Sequence, residues 1–265
     1  MRIDATTHAL VTGASRGIGR ATANALAARG ATVGLAARSA GELEQLAAGL
    51  PGDHHPLPCD VGDRGQVEAA VERFVAQAGG LDLVVANAGI AHYGPLHALD
   101  VEAAERMTRI NWLGTLYTVK AALPHLLGRA HGHIVIVSSG AGLRSFPWAA
   151  VYGATKSAQR GFGEALRHEL SGSGVGLTVV YPGEIASHLH DHEKAAMPDW
   201  YRGGPDAVPA EKLAEAMLAA VEADARALYY PRLVRVLGIA HGVSPRLADR
   251  VLRILRGGTA APRLD

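Results

Sequence analysis

The sequence has a single cysteine, few aromatic residues, almost no net charge and no long apolar run, and these shortages exclude several classes of protein. One cysteine, Cys59, cannot form an internal disulfide and fits a reducing compartment. A net charge of +1 gives no field that would attract nucleic acid. No apolar run approaches the ~18 residues of a transmembrane helix, and the first residues lack a basic and apolar signal segment. We therefore expect a soluble, cytoplasmic protein that binds no nucleic acid.

Short apolar runs alternate with helical patterns along the first two thirds of the chain. The predicted strands cover residues 7–12, 31–37, 54–59, 81–86, 133–139 and 177–182. The predicted helices cover residues 17–29, 39–49, 63–78, 100–128 and 151–171. Continuous apolar strands separated by helices predict an α/β fold with a doubly wound parallel sheet of the Rossmann type. We expect one dinucleotide-binding and catalytic domain over residues 1–230, followed by a C-terminal helical extension over 231–265.

A glycine-rich turn, TGASRGIG at residues 12–19, joins the first predicted strand to the first helix. Its backbone can approach a pyrophosphate closely, and the N-terminus of the helix supplies N–H donors and a positive dipole end. The spacing is G-x-x-x-G-x-G rather than the common G-x-G-x-x-G. A tight turn without a ligand is the alternative, but the position of the loop favours a bound dinucleotide.

The end of the second predicted strand bears on which dinucleotide binds. NAD enzymes of this fold hold the ribose hydroxyls with an acidic residue, whereas NADP enzymes place an arginine near the 2′-phosphate. Here Arg38 stands at that position, Arg16 lies in the glycine-rich loop, and the first acid is Glu42 inside the next helix. These residues favour NADP (NADPH), and NAD is the less favoured alternative.

Tyr152 and Lys156 are four residues apart in a predicted helix. This spacing puts the phenol and the ammonium on one helix face, about one turn apart. A cation beside a phenol favours the phenolate, so we expect the pKa of Tyr152 to fall below its usual value near ~10. The pair is a candidate for proton transfer near neutral pH. A solvated surface pair is the alternative.

At this point the chain resembles the short-chain dehydrogenase/reductase (SDR) family over residues 7 to about 187. The motifs that carry the resemblance occur in the expected order. They are TGASRGIG at 12–19, Asp60-Val61, Asn87-Ala88-Gly89, Asn111, Ser138-Ser139, Tyr152-x-x-x-Lys156 and Pro182-Gly183.

The resemblance implies four catalytic residues. Tyr152 would give a proton to a carbonyl oxygen during reduction or take it back during oxidation. Lys156 would lower the phenol pKa and bind the nicotinamide ribose. Ser139 would hydrogen-bond the substrate oxygen, and Asn111 would hold a water that links Lys156 to solvent. Ser138 should point elsewhere, because successive strand residues alternate faces.

The resemblance also implies a set of cofactor-binding residues. They are Gly13, Ser15, Arg16, Gly17, Ile18, Gly19, Arg38, Asp60, Val61, Asn87, Ala88, Gly89, Tyr152, Lys156, Pro182, Gly183, Ile185 and Ser187. Asp60 and Val61 would contact the adenine, and Asn87 with Gly89 would border a ribose. Ser187 stands where the family usually has a threonine for the nicotinamide amide, and serine can donate the same hydrogen bond.

These residues predict an NADP(H)-dependent oxidoreductase that transfers a hydride between nicotinamide and a ketone, aldehyde or secondary alcohol. Two alternatives stay open: an NAD-linked alcohol dehydrogenase of the same family, and a dinucleotide-binding sensor without turnover. By resemblance, the chain should assemble as a homodimer or homotetramer through residues 100–128 and 151–171.

Residues 184–208 are predicted to close over the substrate, because loops beyond strand ends cover the ligand crevice in such sheets. The alternative is an ordinary surface segment. The aromatic and aliphatic residues of this region predict an apolar pocket and a hydrophobic substrate. They are Ile185, Leu189, Met197, Trp200 and Tyr201, together with Tyr93, Phe146 and Trp148. His188, His190 and His192 match no zinc-binding spacing, so no metal is predicted.

The C-terminal stretch from Arg226 to Arg256 is rich in arginine and contains one acid, Asp249. A basic stripe adjoins an apolar one at helical spacing. The basic stripe is Arg246, Arg250 and Arg253, and the apolar stripe is Leu247, Val251 and Ile254. Such a helix could pack on the domain or on a second subunit, or it could contact an anionic membrane surface.

Overall fold

The structure is a computed structural model that describes residues 1–186, 207–246 and 248–250. Its strands are β1 (His8–Thr12), β2 (Thr32–Ala37), β3 (His54–Pro58), β4 (Leu83–Ala86), β5 (Gly132–Val137), β6 (Val175–Pro182), β7 (Ile185–Ala186), β8 (Val208–Pro209) and β9 (Ala227–Tyr230). Seven of them form one parallel sheet in the order β3-β2-β1-β4-β5-β6-β9, and β7 pairs with β8 beside it. The predicted doubly wound α/β fold is confirmed.

Helices connect and cover the strands in the part of the chain that the structure describes. They are α1 (Gly17–Ala27), α2 (Ala40–Gly49), α3 (Arg64–Ala78), α4 (Val101–Met107), α5 (Gly114–Arg129), α6 (Ala150–Glu169), α7 (Ala210–Glu222) and α8 (Leu233–Val243). The apolar core has two layers, one on each face of the sheet. Helices α1, α2 and α7 cover one face, and α3, α5 and α6 cover the other. Among the described helices, none is both long and apolar enough to cross a membrane.

The helix predicted over residues 100–128 is interrupted. A π-helical turn over Thr108–Leu113 separates α4 from α5. Such a turn inserts an extra residue into the helix and commonly marks a functional site. Here it contains Asn111, whose side chain is fully buried.

Beyond residue 182, the structure contains elements that the sequence pattern does not predict, among them helix α7 and strand β9. Helix α7 packs against α1, and β9 extends the sheet beside β6. The apolar run of β9 is only four residues long, which is too short to show a clear strand pattern. Strand β9 ends at Tyr230 and α8 begins at Leu233, on either side of the predicted domain boundary.

Candidate active site and cofactor cleft

A cavity of about 440 Å³ opens at the carboxyl ends of the strands and extends from the glycine-rich loop to α6. Strands β1 and β4 are neighbours here. The chain builds the sheet from β1 to β3 on one side of this point and from β4 to β9 on the other. In open α/β sheets such a switch point forms the ligand crevice. Most of the predicted cofactor and catalytic residues line it. They are Gly13, Ser15, Arg16, Gly17, Ile18, Arg38, Asp60, Val61, Asn87, Ala88, Gly89, Ser139, Tyr152, Lys156, Pro182, Gly183 and Ile185.

Of the predicted cofactor and catalytic residues that the structure describes, two do not line this cavity. Gly19 packs beneath the glycine-rich loop, and Asn111 is fully buried behind the wall. Ser187 lies outside the described residues, as do residues 188–206 of the predicted substrate segment.

The glycine-rich loop is tied closely to the turn after β4. Gly13 has a φ of 69°, and a Cβ there would lie 2.9 Å from the Ala88 Cα. A Cβ on Gly19 would clash with the Gly13 carbonyl oxygen. The Thr12 hydroxyl oxygen accepts hydrogen bonds from the backbone N–H groups of Asn87 (3.0 Å) and Ala88 (3.1 Å). Only glycine fits these positions, and the result is a backbone cradle without side chains at the mouth of the cavity.

An acidic side chain lies among the cations at one end of the cleft. Glu42, in the first turn of α2, forms an ion pair with Arg16 and lines the cavity together with Arg38. The hydrogen bond from Arg16 is the main cause that lowers the pKa of the Glu42 carboxyl. From the sequence, Glu42 is expected inside the next helix and is given no role in binding the coenzyme. The fold instead brings it onto one of the two arginines expected to hold a 2′-phosphate.

The turn after β3 forms the neighbouring wall. The Asp60 Oδ1 accepts a hydrogen bond from the Gly62 N–H (2.9 Å), which fixes the carboxylate at the start of the turn. Cys59 also lines the cavity but is buried, and desolvation raises its thiol pKa to about 11. At neutral pH it is a protonated, unreactive wall residue.

Asn111 ties three parts of the site together. Its Oδ1 accepts from the Ile90 N–H (2.8 Å), and its Nδ2 donates to the Ile90 carbonyl (2.9 Å) and to the Thr155 hydroxyl (3.1 Å). Its backbone carbonyl accepts from the Gln159 Nε2 (2.8 Å) and from the Thr115 hydroxyl (2.8 Å). Asn111 therefore joins the turn after β4 to α6. Its role in holding a water stays a prediction.

Gln159, which belongs to this network, is not among the residues predicted from the sequence. Gln159 is fully buried and lies on the inner face of α6, three residues after Lys156. A polar residue on the buried face of an amphipathic helix is the signal that could have identified it.

The two serines after β5 point in different directions, as the alternation of strand residues predicts. The Ser138 hydroxyl donates to the Lys156 backbone carbonyl (2.8 Å) and so holds α6 against the strand end. Ser139 lines the cavity, and its Oγ accepts from the Ala141 N–H (3.1 Å). Its hydroxyl also hydrogen-bonds the Tyr152 phenol, which lowers the phenol pKa. Ser138 also lines the cavity, but its hydroxyl is turned toward α6, whereas the Ser139 hydroxyl is turned toward Tyr152.

Tyr152 and Lys156 lie on the buried face of α6. The Lys156 Nζ donates to the Val137 carbonyl (3.0 Å) and lies 5.8 Å from the centre of the Tyr152 ring. The two residues therefore do not form a solvated surface pair.

The predicted lowering of the Tyr152 pKa is wrong for the chain alone. Burial raises the pKa of Tyr152 to about 12, and this effect exceeds the opposing hydrogen bond from Ser139. Burial also lowers the pKa of Lys156 to about 7, so the ammonium is only partly charged at neutral pH. Desolvation disfavours both charged forms, and the sequence spacing could not reveal its extent.

An apolar wall stands beside the phenol. The Tyr93 ring lies edge-to-face with Tyr152 at 5.7 Å between ring centres and also contacts Phe146 at 5.7 Å. Trp148 has a φ of 71°, an unusual conformation for a bulky residue, and its carbonyl accepts from the Gly94 N–H (2.9 Å). This bond fastens the loop before α6 to the loop that carries Tyr93.

Within the ranges that the structure describes, no three His, Cys, Asp or Glu side chains gather in a way that could hold a metal ion. His188, His190 and His192 fall outside these ranges.

Known proteins resemble this chain across the site. A family model described as short chain dehydrogenase matches residues 7–198, which include the glycine-rich loop and the Tyr152–Lys156 pair. An uncharacterized oxidoreductase of Listeria monocytogenes is 39% identical over 185 residues, which cover 68% of this chain and 75% of the relative. A glycine betaine reductase of Emericella nidulans is 39% identical over 184 residues, which are 68% of this chain but only 14% of that protein. The structure of an alcohol dehydrogenase from the archaeon Thermococcus sibiricus, complexed with 5-hydroxy-NADP, matches with a TM-score of 0.73 at 29% identity. That match covers 84% of this chain and 94% of the archaeal one.

Proposed function

The chain belongs to the short chain dehydrogenase family of oxidoreductases, and from this premise we propose that it transfers a hydride between NADP(H) and a ketone, aldehyde or secondary alcohol. The observation that carries the proposal is the meeting of Ser139, Tyr152 and Lys156 in the same cleft as the glycine cradle. A dinucleotide fits this cleft because Gly13 and Gly17 line it at the start of α1, where backbone N–H groups can hold its phosphates.

The residues of the chain would divide the work as follows. A bound nicotinamide coenzyme supplies or accepts the hydride. Tyr152 donates its phenolic proton to the carbonyl oxygen in reduction and takes it back in oxidation. The Ser139 hydroxyl hydrogen-bonds the same oxygen and orients it. Lys156, with a pKa of about 7, exchanges protons readily at neutral pH and can restore the phenol after each turnover.

The proposed preference for NADP rests on Arg38 and Arg16, because planar guanidinium groups bind phosphate in a bidentate manner. Glu42 opposes this preference, since its carboxylate would repel a 2′-phosphate unless Arg16 neutralises it. An NAD-linked alcohol dehydrogenase is the alternative that Glu42 favours. Substitutions of the arginines and of Glu42 separate their contributions to the coenzyme preference.

We predict that NADPH binds at least about tenfold tighter than NADH, and that Arg38→Ala removes most of this difference.

Glu42→Gln should strengthen NADPH binding by about threefold or more and leave NADH binding weaker or unchanged, because it frees Arg16 for the phosphate. Dissociation constants from coenzyme fluorescence test both effects. Arg64→Ala, an exposed arginine paired with Glu68 on α3, is the control and should change neither constant. Equal affinities for the two coenzymes in the parent protein would contradict the preference.

The apolar wall supports a hydrophobic substrate. Ile90 and Ile185 line the cleft together with Tyr152. Tyr93 and Phe146 pack beside Tyr152. One buried methylene contributes ~0.8 kcal/mol, or about a fourfold change in kcat/KM. We predict that kcat/KM rises along a homologous series of methyl ketones until the pocket is full. A flat or falling trend across the series would refute an apolar pocket.

We also propose that the chain forms a homodimer or homotetramer through α4–α5 and α6, as the family resemblance suggests. Leu127, on α5, exposes 43% of its surface and is available for such a contact. A cytoplasmic location stays a prediction from the cysteine content.

A further inference from the structure

Helix α8 exposes a row of large apolar side chains. Leu233, Val236, Ile239 and Val243 expose 60%, 59%, 57% and 81% of their surfaces. Their spacing of three or four residues places them along one side of the helix. The opposite side is anchored in the domain, where Val234 is buried in the core. Scattered apolar residues on a surface are ordinary, but a continuous row along a helix marks an interaction site.

The same helix is surrounded by exposed arginines. Arg232 and Arg235 precede Val236 and Ile239 by four residues each, so they lie beside the apolar row on the helix surface. Arg246 and Arg250 follow the helix and are also exposed. Residues 226–248 contain no aspartate or glutamate.

The first acid beyond this stretch does not offset the positive charge on the exposed face. Asp249 forms an ion pair with Arg144, whose side chain is largely buried in the loop before α6. The exposed surface of α8 is therefore both apolar and cationic.

We propose that α8 docks on an anionic lipid bilayer, with its apolar row in the headgroup region and its arginines on the lipid phosphates. An amphipathic helix with arginine beside exposed aliphatic residues is suited to such a surface. A second copy of the chain is a poorer occupant. In a contact between two copies of α8, the arginines of each copy would face a helix whose residues 226–248 contain no acid to pair with them. The positive charge of α8 thus selects a surface of opposite charge.

The position of α8 gives this docking a consequence for the active site. A Cβ on Gly140 would lie 3.3 Å from a Val234 methyl, and a Cβ on Gly183 would lie 3.1 Å from the other. Gly140 directly follows Ser139, and Gly183 lines the cleft. A docked α8 therefore holds this end of the cleft close to the bilayer. A lipophilic carbonyl compound dissolved in the bilayer would then enter the cleft from the membrane. This entry route rests on the proposed function, whereas membrane binding by α8 does not.

Co-sedimentation of the full chain with vesicles tests the proposal. We expect binding to phosphatidylcholine vesicles that contain phosphatidylglycerol at low salt, and at least about tenfold weaker binding to pure phosphatidylcholine. High salt should release the protein, because it screens the arginines. Val236→Asp should weaken binding about tenfold or more, and Arg232→Gln about fivefold. Leu96→Asp is the matched control: Leu96, in the loop before α4, is 67% exposed, and its replacement should leave vesicle binding unchanged.

Two results would overturn the proposal. One is that the parent protein does not bind the anionic vesicles at low salt. The other is that Val236→Asp and Leu96→Asp bind them equally well. Coenzyme binding by each variant shows that it is folded, and the oligomeric state is measured alongside. If Val236→Asp dissociates an oligomer while the parent protein ignores vesicles, α8 is a contact between subunits instead.

Discussion

Replacement of Tyr152 by phenylalanine is expected to lower turnover by a factor of at least about 100 while NADPH affinity stays close to that of the parent protein. The change removes one hydroxyl and keeps the ring that packs against Tyr93. The substrate oxygen then loses its proton donor, whereas the glycine cradle is untouched. Single-turnover oxidation of NADPH and an independent binding titration separate the two effects.

Tyr181→Phe is the matched control for this substitution. Tyr181 is as deeply buried as Tyr152, and its ring stacks on Tyr229 in the sheet. Loss of that hydroxyl should leave turnover within about twofold of the parent value. Undiminished turnover in Tyr152→Phe would show that the proton comes from another group.

Replacement of Lys156 by methionine is expected to reduce both turnover, by about 100-fold or more, and NADPH affinity, by about tenfold. Methionine nearly preserves the volume of the buried side chain, so the fold should be retained. It cannot exchange a proton with Tyr152 or hydrogen-bond a ribose. Loss of turnover with unchanged NADPH affinity would exclude Lys156 from the coenzyme site.

The pH dependence of stability provides a readout of Lys156 that does not depend on activity. Its pKa is about 7 in the folded chain and near the ordinary value of 10.5 when unfolded. Between these values the unfolded chain binds more protons, so this lysine makes the free energy of unfolding rise with pH. Lys156→Met lacks this contribution. Its stability relative to the parent protein should be greatest at pH 7 and below, and should decline toward pH 10. Parallel curves for the two proteins would mean that Lys156 titrates normally.

Local motifs predicted much of this site because strand ends and their turns carry most of it. The glycine loop, Asn87 and Ser139 follow strands, and Tyr152 lies in the first turn of α6; a doubly wound sheet brings such positions to one edge. The distinction between Ser138 and Ser139 followed from strand alternation alone.

The features that were missed depend on tertiary packing. Glu42 reaches the cleft only because the first turn of α2 faces the glycine-rich loop, where Arg16 meets it. The pKa of Tyr152 rises because the fold buries the phenol, an effect that the four-residue spacing to Lys156 does not report. The sequence likewise does not identify the exposed side of α8, because an apolar helix pattern does not show which of its residues the domain covers.

The most direct test of the central claim is the oxidation of NADPH by the parent protein and by Tyr152→Phe across aliphatic, aromatic, steroid and acyl-chain ketones. The account predicts that the parent protein consumes NADPH and forms an equal amount of alcohol with at least one hydrophobic ketone, and that Tyr152→Phe loses this activity. Saturable NADPH binding without consumption for every ketone would contradict it and identify a dinucleotide-binding sensor. Turnover with NADH alone would contradict the NADP assignment and identify an NAD-linked alcohol dehydrogenase.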